Sequence, residues 1–323
     1  MTRLTFTEYD AYAEAVRDVS MTMRMYSRQV SNWTVQYASV GSLGVQQGFE
    51  GGGSIAEGAT GSDGWTLYHQ SHPGYANGQV TNGDEVLTVP PGGEFCLACK
   101  PSHEWISVHI PTSLLFPSTP ELEFASCARA QLLKPPPHVT RRFTSLVHRV
   151  LATTESQPQL LDCPVAVDSC RHELLSAAQE LLASCHHSTS RHFDRWRRLT
   201  KATSELATSR PDQSLSVLEL ARLTRVPERT LRAAFHRSYG LSPQKYLRIQ
   251  RLHQARRLLR TSCQDQTTVT QIAFGLGFWD LGRFSGAYGS LYGERPSDTL
   301  RKPVPEGSAP ARCAEGIRAS WHG

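Results

Sequence analysis

Between residues 30 and 111 apolar and polar positions alternate in short runs, whereas beyond about residue 140 the apolar positions recur every third or fourth residue. That change of period marks a change from strands to helices. Trp33, Val35 and Tyr37 alternate, and residues 65–68, 85–89 and 105–110 read as further strands. Asn77-Gly78, Asn82-Gly83 and Pro90-Pro91-Gly92-Gly93 are turn signals between them. The set predicts an antiparallel β-barrel or jelly roll. Gly51-Gly52-Gly53 reads as a loop, since no Lys-Ser/Thr follows to make it a phosphate cradle.

Residues 141–151 and 170–185 have helical spacing, with Leu174, Leu175, Ala178, Leu181 and Leu182 forming one apolar stripe. The stripe can pack on the barrel or on a second copy, and spacing alone does not choose. Farther on, two segments 52 residues apart begin alike: Ser216-Val217-Leu218-Glu219 and Thr268-Val269-Thr270-Gln271. Both fit the capping box, in which a hydroxyl caps the third helical N–H and the Glu or Gln returns to the cap's own N–H. Ala221 and Ala273 follow each cap by five residues, and Phe235 and Tyr288 lie 14 and 15 residues beyond those.

Such a pair of short helices around a small residue is the pattern of a helix-turn-helix, and it occurs twice. Leu220, Leu223, Leu231 and Phe235 are expected to bury the shared face of the first unit. Ile272, Leu276, Phe278, Phe284 and Tyr288 are expected to do so in the second. The free outer face of each second helix would enter the DNA major groove. On the first it carries Arg229, Arg232, Ala233 and His236, and arginine is shaped to grip guanine with two hydrogen bonds. Gly240-Leu241-Ser242-Pro243 reads as a stop and restart, and residues 244–260 as one connecting helix.

Charge is segregated along the chain. Residues 191–300 hold 19 Lys and Arg against 9 Asp and Glu, a net of +10, while residues 1–190 hold 11 against 18, a net of −7. Phosphate binding draws on such local concentrations, so double-stranded DNA is the expected partner of the C-terminal third.

The run 272–284, with Tyr288, Tyr292-Gly293-Glu294-Arg295-Pro296-Ser297 and Leu300-Arg301, resembles the C-terminal signature of AraC/XylS transcriptional regulators. Within that family it looks most like the branch of the ethanolamine-operon regulator. Leu220-Ala221, Arg229-Thr230-Leu231, Phe235, Gly240-Leu241-Ser242-Pro243 and Tyr246-Leu247 match the first unit. The resemblance covers residues 195–302. It implies a bipartite DNA-binding domain on promoter DNA, preceded by a sensing or dimerising domain, and it points to a homodimer. Carried over by position, base contacts fall on Arg229, Arg232 and Ala233, then on Leu281, Gly282, Arg283 and Gly286.

Two departures from that pattern stand out. Val226-Pro227-Glu228 replaces the usual capping Ser before the first recognition helix, which Pro and Glu both tolerate at a helix start. The outward positions of the second recognition helix are Gly282, Ser285, Gly286 and Gly289, nearly bare of reading side chains. The two heads are therefore expected to be unequal, with direct readout concentrated on the first. Glycines that merely ease helix packing are the competing explanation.

In the N-terminal half, Trp65, Tyr68, Glu94, Phe95 and Trp105 are of the type that line a small-molecule pocket, so an unidentified effector is expected in the barrel. His69, His72, Glu94, His103 and His109 raise the alternative of a metal-bearing, cupin-like enzyme. The spacing of His69 and His72 argues against it, because rings three residues apart on a strand face opposite ways. Cys96 and Cys99 could serve zinc or redox chemistry, but zinc needs four ligands and only His103 is near in sequence. Structural thiols are the expectation.

The chain is therefore read as α+β: a β-rich sensing domain over residues 1–125, a helical linker with a dimerisation role over 126–190, a double helix-turn-helix domain over 191–302 and a tail over 303–323. No apolar run approaches the roughly 18 residues of a membrane span. The charged first 20 residues contain no secretory core. A cytoplasmic address with eight reduced cysteines follows as an expectation. So does a sequence-specific regulator that is not an enzyme and carries no cofactor or metal. A nonspecific architectural DNA binder is the other alternative.

Overall fold

The computed structural model describes residues 3–116, 129–185, 191–209, 215–262 and 267–303. The chain divides into two compact units, the first running mainly to Arg197 and the second mainly from Arg198. The boundary expected at 125 and the tail after residue 303 lie outside the described residues.

The first unit contains β1 (Leu4–Phe6), α1 (Tyr9–Ala15), β2 (Val19–Val40), β3 (Leu43–Thr60), β4 (Gly64–Gln70), β5 (Gly74–Ala76), β6 (Gln79–Thr81), β7 (Val86–Val89), β8 (Glu94–Cys99), β9 (His103–Pro111), α2 (Thr112–Leu115) and β10 (Gln131–Leu133). The strands form one antiparallel sheet in the order β10-β7-β4-β9-β3-β8-β5-β6, with β2 along β3 and β1 along β2, curled into a nearly closed barrel. Asn77 and Gly78, at φ 49° and 74°, make the two-residue turn between β5 and β6. Positive φ at both positions suits the twist of a tight hairpin, and Asn and Gly tolerate it best.

Strand β3 is longer than any run the sequence pattern suggested. Its first half pairs with β9, from Gly44 opposite His109 to Glu50 opposite His103, and its second half pairs with β8, from Ser54 opposite Cys99 to Ala59 opposite Glu94. Gly51-Gly52-Gly53 is thus no loop but the corner at which one strand changes partners. A Cβ on Gly51 would sit 2.5 Å from the Val30 carbonyl oxygen of β2, so only glycine lets the two backbones pass.

Helix α3 (Pro137–Ser156), a 3-10 turn (Pro158–Asp162) and α4 (Pro164–Ala183) complete this unit. Val139, Phe143, Val147, Leu151, Leu174, Ala178 and Leu181 form one cluster with Val40, Val45, Trp65, Leu67, Val108 and Ile110 of the barrel's outer face. The helical stripe that the sequence left undecided is therefore spent on the barrel of its own chain. Phe143 is fully buried there. Burial of such a side chain contributes about 1.5–3 kcal/mol.

The second unit is helical: α5 (Arg191–Ser209), α6 (Val217–Leu223), α7 (Glu228–Tyr239), α8 (Pro243–Thr261), α9 (Val269–Gly275), α10 (Leu281–Tyr292) and α11 (Pro296–Arg301). Helix α8, with 19 residues, spans about 28 Å and is the predicted connector. It packs on α9 and α11, and its Tyr246 ring meets Phe235 of α7 edge-on at 5.1 Å. No helix among the described residues is long and apolar enough to cross a membrane.

Candidate nucleic-acid interface and barrel cavity

Both capping boxes form. Ser216 Oγ accepts from the Glu219 N–H at 3.2 Å while the Ser216 N–H donates to Glu219 Oε2 at 2.7 Å. Thr268 and Gln271 repeat the exchange at 3.2 and 2.8 Å. In the first head Leu220, Ala221, Leu231 and Phe235 are buried, and the expectation for Leu223 fails, since it is 43% exposed. It is the last residue of the seven-residue helix α6. The charged face of α7 is outward: Arg229, Arg232 and His236 are exposed and Ala233 is half-buried. Pro227 starts the helix without a capping side chain, its carbonyl accepting from the Thr230 and Leu231 N–H groups.

Arg232 is braced within its own helix. Its Nε donates to Glu228 Oε1 at 2.8 Å, one turn back. An exposed pair of this kind is worth little in water, so the guanidinium can leave Glu228 for a base edge at small cost. Arg229 has no ion pair among the described residues.

In the second head Ile272, Ala273, Leu276, Phe284 and Tyr288 are buried, while Phe278 is half-buried against Phe284 at 4.9 Å. Asp280 caps α10 by accepting the Arg283 N–H at 2.9 Å, and its carboxylate lies 3.2 Å from Arg283 Nε. Gly282, Arg283 and Gly286 are exposed and Leu281 is half-buried. A Cβ on Gly286 would meet nothing within 4 Å, and one on Gly282 only the Asp280 side chain at an ordinary 3.4 Å. Helix packing therefore does not require glycine at either place. Sequence reading missed Trp279, which precedes the Asp280 cap, is 73% exposed and stacks on Phe274 at 5.8 Å.

Ionic ties fix this head to the connector. Arg256 of α8, only 5% exposed, donates to Glu294 at 2.7 Å, and Lys302 reaches the other carboxylate oxygen at 2.9 Å. The two cations and Thr299 hold the Glu294 carboxyl below its ordinary range against the opposing effect of burial.

In the barrel, alternation divides the candidate pocket residues. Tyr68, Phe95 and Trp105 line a cavity of about 60 Å³ together with Met21, Met23, Glu50, Ser54, Leu97 and Cys99. Trp65 does not, because it lies three residues from Tyr68 on β4 and faces outward, against Phe116 and the helical layer. Glu94 precedes inward-facing Phe95 and turns to the other side, where its side chain is 42% exposed. The carboxylate the cavity does hold is Glu50, which the sequence reading overlooked.

Glycine makes room for the large inner residues. A Cβ on Gly48, opposite Trp105, would lie 2.4 Å from the indole. Glu50 Oε1 accepts from Tyr12 Oη at 3.2 Å, Oε2 accepts from Ser54 Oγ, and Trp105 Nε1 donates to Tyr12 Oη at 2.8 Å. Burial pushes the Glu50 carboxyl up to about 7 against these hydrogen bonds.

The candidate metal ligands go to separate partners. His69 Nδ1 donates to the Glu85 carbonyl at 3.1 Å, His103 Nδ1 to the Lys100 carbonyl at 2.9 Å, and His109 lies between Thr66 and Asp63 at 3.2 and 3.3 Å. His72 contacts Ser71 at 2.9 Å. No three His, Cys, Asp or Glu side chains converge in a ligating group among the described residues. Cys96 and Cys99 are both buried, and burial pushes both thiols up, away from the reactive thiolate.

Comparison with known proteins agrees with the geometry of the second unit. A family described as helix-turn-helix domain matches residues 220–302. The XylDLEGF operon transcriptional activator of Pseudomonas putida is 37% identical over 90 residues, 28% of this chain and 28% of that protein. The probable thc operon regulatory protein of Rhodococcus erythropolis is 38% identical over 89 residues, 28% of this chain and 27% of that protein. The match thus spans little more than a quarter of these relatives. Among solved structures, the AraC-like transcriptional activator CuxR aligns over 79% of this chain and 95% of its own, with 14% identity and a TM-score of 0.42. With its two capped helix pairs and its connector, the segment 220–302 is a helix-turn-helix domain of the AraC/XylS type of transcription regulators.

Proposed function

We propose that the protein is a sequence-specific, effector-responsive transcription regulator that binds promoter DNA through residues 191–302. The observation that carries the reading is the exposed arginine face of α7, on a helix whose opposite face is wholly buried. Phosphates are positioned by the +10 excess of charge over residues 191–300. Bases are read mainly by Arg229 and Arg232, with Ala233 and His236 beside them.

The second head docks more closely and reads less. Gly282 and Gly286 leave its backbone bare where packing asks for no glycine, which supports close approach to DNA. Arg283, Leu281 and Trp279 supply its side-chain contacts. The likeness of this head to the ethanolamine-operon branch concerns residues 272–301 alone and assigns no effector.

The barrel cavity is the effector site, walled by Tyr68, Phe95 and Trp105. Effector binding biases the population of DNA-competent arrangements, which requires different affinity for the two states. A homodimer, expected from the family, would use a surface other than the stripe of α3 and α4 that the barrel covers. Fluorescence anisotropy of the full chain on its own upstream region and on shuffled DNA, at matched salt, tests the reading. A regulator prefers its own region by about a thousand-fold or more, whereas equal binding would make it an architectural DNA binder.

A further inference from the structure

The cavity is apolar along most of its length, through Val19, Met21, Met23, Leu87, Phe95 and Leu97, and polar where Glu50 enters it. Arg17 is the one cation among its lining residues, and that guanidinium lies over the Tyr37 ring at 4.6 Å, without an ion pair to Glu50 among the described residues. His103, 1% exposed, gives its Nδ1 proton to the Lys100 carbonyl and so turns an Nε2 lone pair toward Glu50 Oε2 at 3.8 Å. That Nε2 has no hydrogen-bond partner. Glu50 thus accepts from two hydroxyls but has no Lys or Arg ion pair among the described residues, and the unpartnered His103 lone pair beside it adds a second acceptor, not a donor.

We propose that the effector is a small amine with a slim apolar body, its ammonium group received by Glu50, with the His103 lone pair beside that carboxylate, and its body by the Met21, Met23, Phe95 and Leu97 wall. The proposal rests on the barrel being the effector site. A buried carboxylate without a cation costs several kcal/mol, and an ammonium supplies both the missing charge and up to three N–H donors. A carboxylate effector would place like charges together and is excluded. A hydroxyl would satisfy one acceptor and leave the charge alone. With no amine bound, the raised affinity of Glu50 for protons lets a proton take the place of the cation.

Isothermal titration calorimetry of the full chain with n-propylamine, n-propanol and propionate at pH 7.5 tests it, because the three share a short chain that suits the small cavity and differ in the head group. Propylamine is expected to bind at least about ten-fold more tightly than either analogue, the gain of a charge-assisted hydrogen bond. Glu50→Gln should erase that preference, and Ala56→Leu, which fills the cavity, should weaken all three. The rank order in the unmodified protein stands whether or not the variants fold. Propionate or propanol binding as well as propylamine, or a preference that survives Glu50→Gln, would overturn the amine assignment while leaving the barrel as an effector site if Ala56→Leu still weakens binding. Binding of none of the three, or binding indifferent to Ala56→Leu, would overturn both.

Discussion

Replacing Glu50 by Gln changes how the protein's stability depends on pH, and the structure sets both sign and size. The carboxyl is raised from 4.5 to about 7 by burial in the cavity. A group raised on folding stabilises the native state only while protonated, so its contribution is complete below pH 4.5 and lost as pH rises through 7. That displacement is worth about 3 kcal/mol in all, lost progressively as pH rises from 4.5 through 7.

The groups facing Glu50 are Tyr12 of α1, Ser54 of β3, Tyr68 of β4, Cys99 of β8, and His103 and Trp105 of β9. Burial raises Tyr12, Tyr68 and Cys99, which stay neutral through the window. His103 is lowered to about 4 by burial, so it gives a slope of the opposite sign, with stability falling as pH drops below 6.5. Because His103 lies 3.8 Å from Glu50 the two titrations are coupled, so the comparison is made above pH 6.5, where His103 is neutral in the folded protein. Urea unfolding of the full chain and of Glu50→Gln, without ligand, should show the wild type losing about 1 kcal/mol relative to the variant between pH 6.5 and pH 8. A difference that stays flat or grows with pH would refute the burial of an unpaired carboxyl.

Gly286→Ala should raise the stability of the C-terminal domain by about 1 kcal/mol in a thermal melt, because the new methyl meets nothing, and should weaken DNA binding. Unchanged affinity would remove the close-approach role. Trp279→Ala forfeits its stack on Phe274, worth about 0.5–1.5 kcal/mol, but should reduce DNA affinity measured by anisotropy; equal affinity would leave Trp279 without a role in contact. Glu294→Ala removes the carboxylate that Arg256 and Lys302 share and should cost about 3 kcal/mol in urea unfolding, and a loss under 1 kcal/mol would mean that this ion pair contributes little.

Local signals in the sequence were strongest where backbone chemistry is local. Ser216, Ser242 and Thr268 fix helix starts through hydrogen bonds to N–H groups three residues on, Pro243 takes the first helical position and Gly240 the positive φ of a stop, as the sequence implies. The barrel was legible as a class but not in its pairing. Nothing local says that β3 serves two partners, and three consecutive glycines look like a loop until β2 is laid across them. Alternation alone would have separated Trp65 from Tyr68 and Glu94 from Phe95, since odd spacing on a strand divides the faces. Glu50 escaped notice because its significance lies in contacts from Tyr12, 38 residues away, and from His103, across the sheet. Trp279 escaped because spacing assigns aromatic residues to cores.

The central claim is that the arginine face of α7 reads base sequence and that the second head reads less. Selection of binding sites from random DNA by the full chain, and by Arg229→Ala and Arg232→Ala variants, tests it most directly. The account predicts strict base preference in one half of the selected site, relaxed by either substitution, with weak preference in the other half. Equal strictness in both halves, or preferences unchanged in both variants, would contradict it.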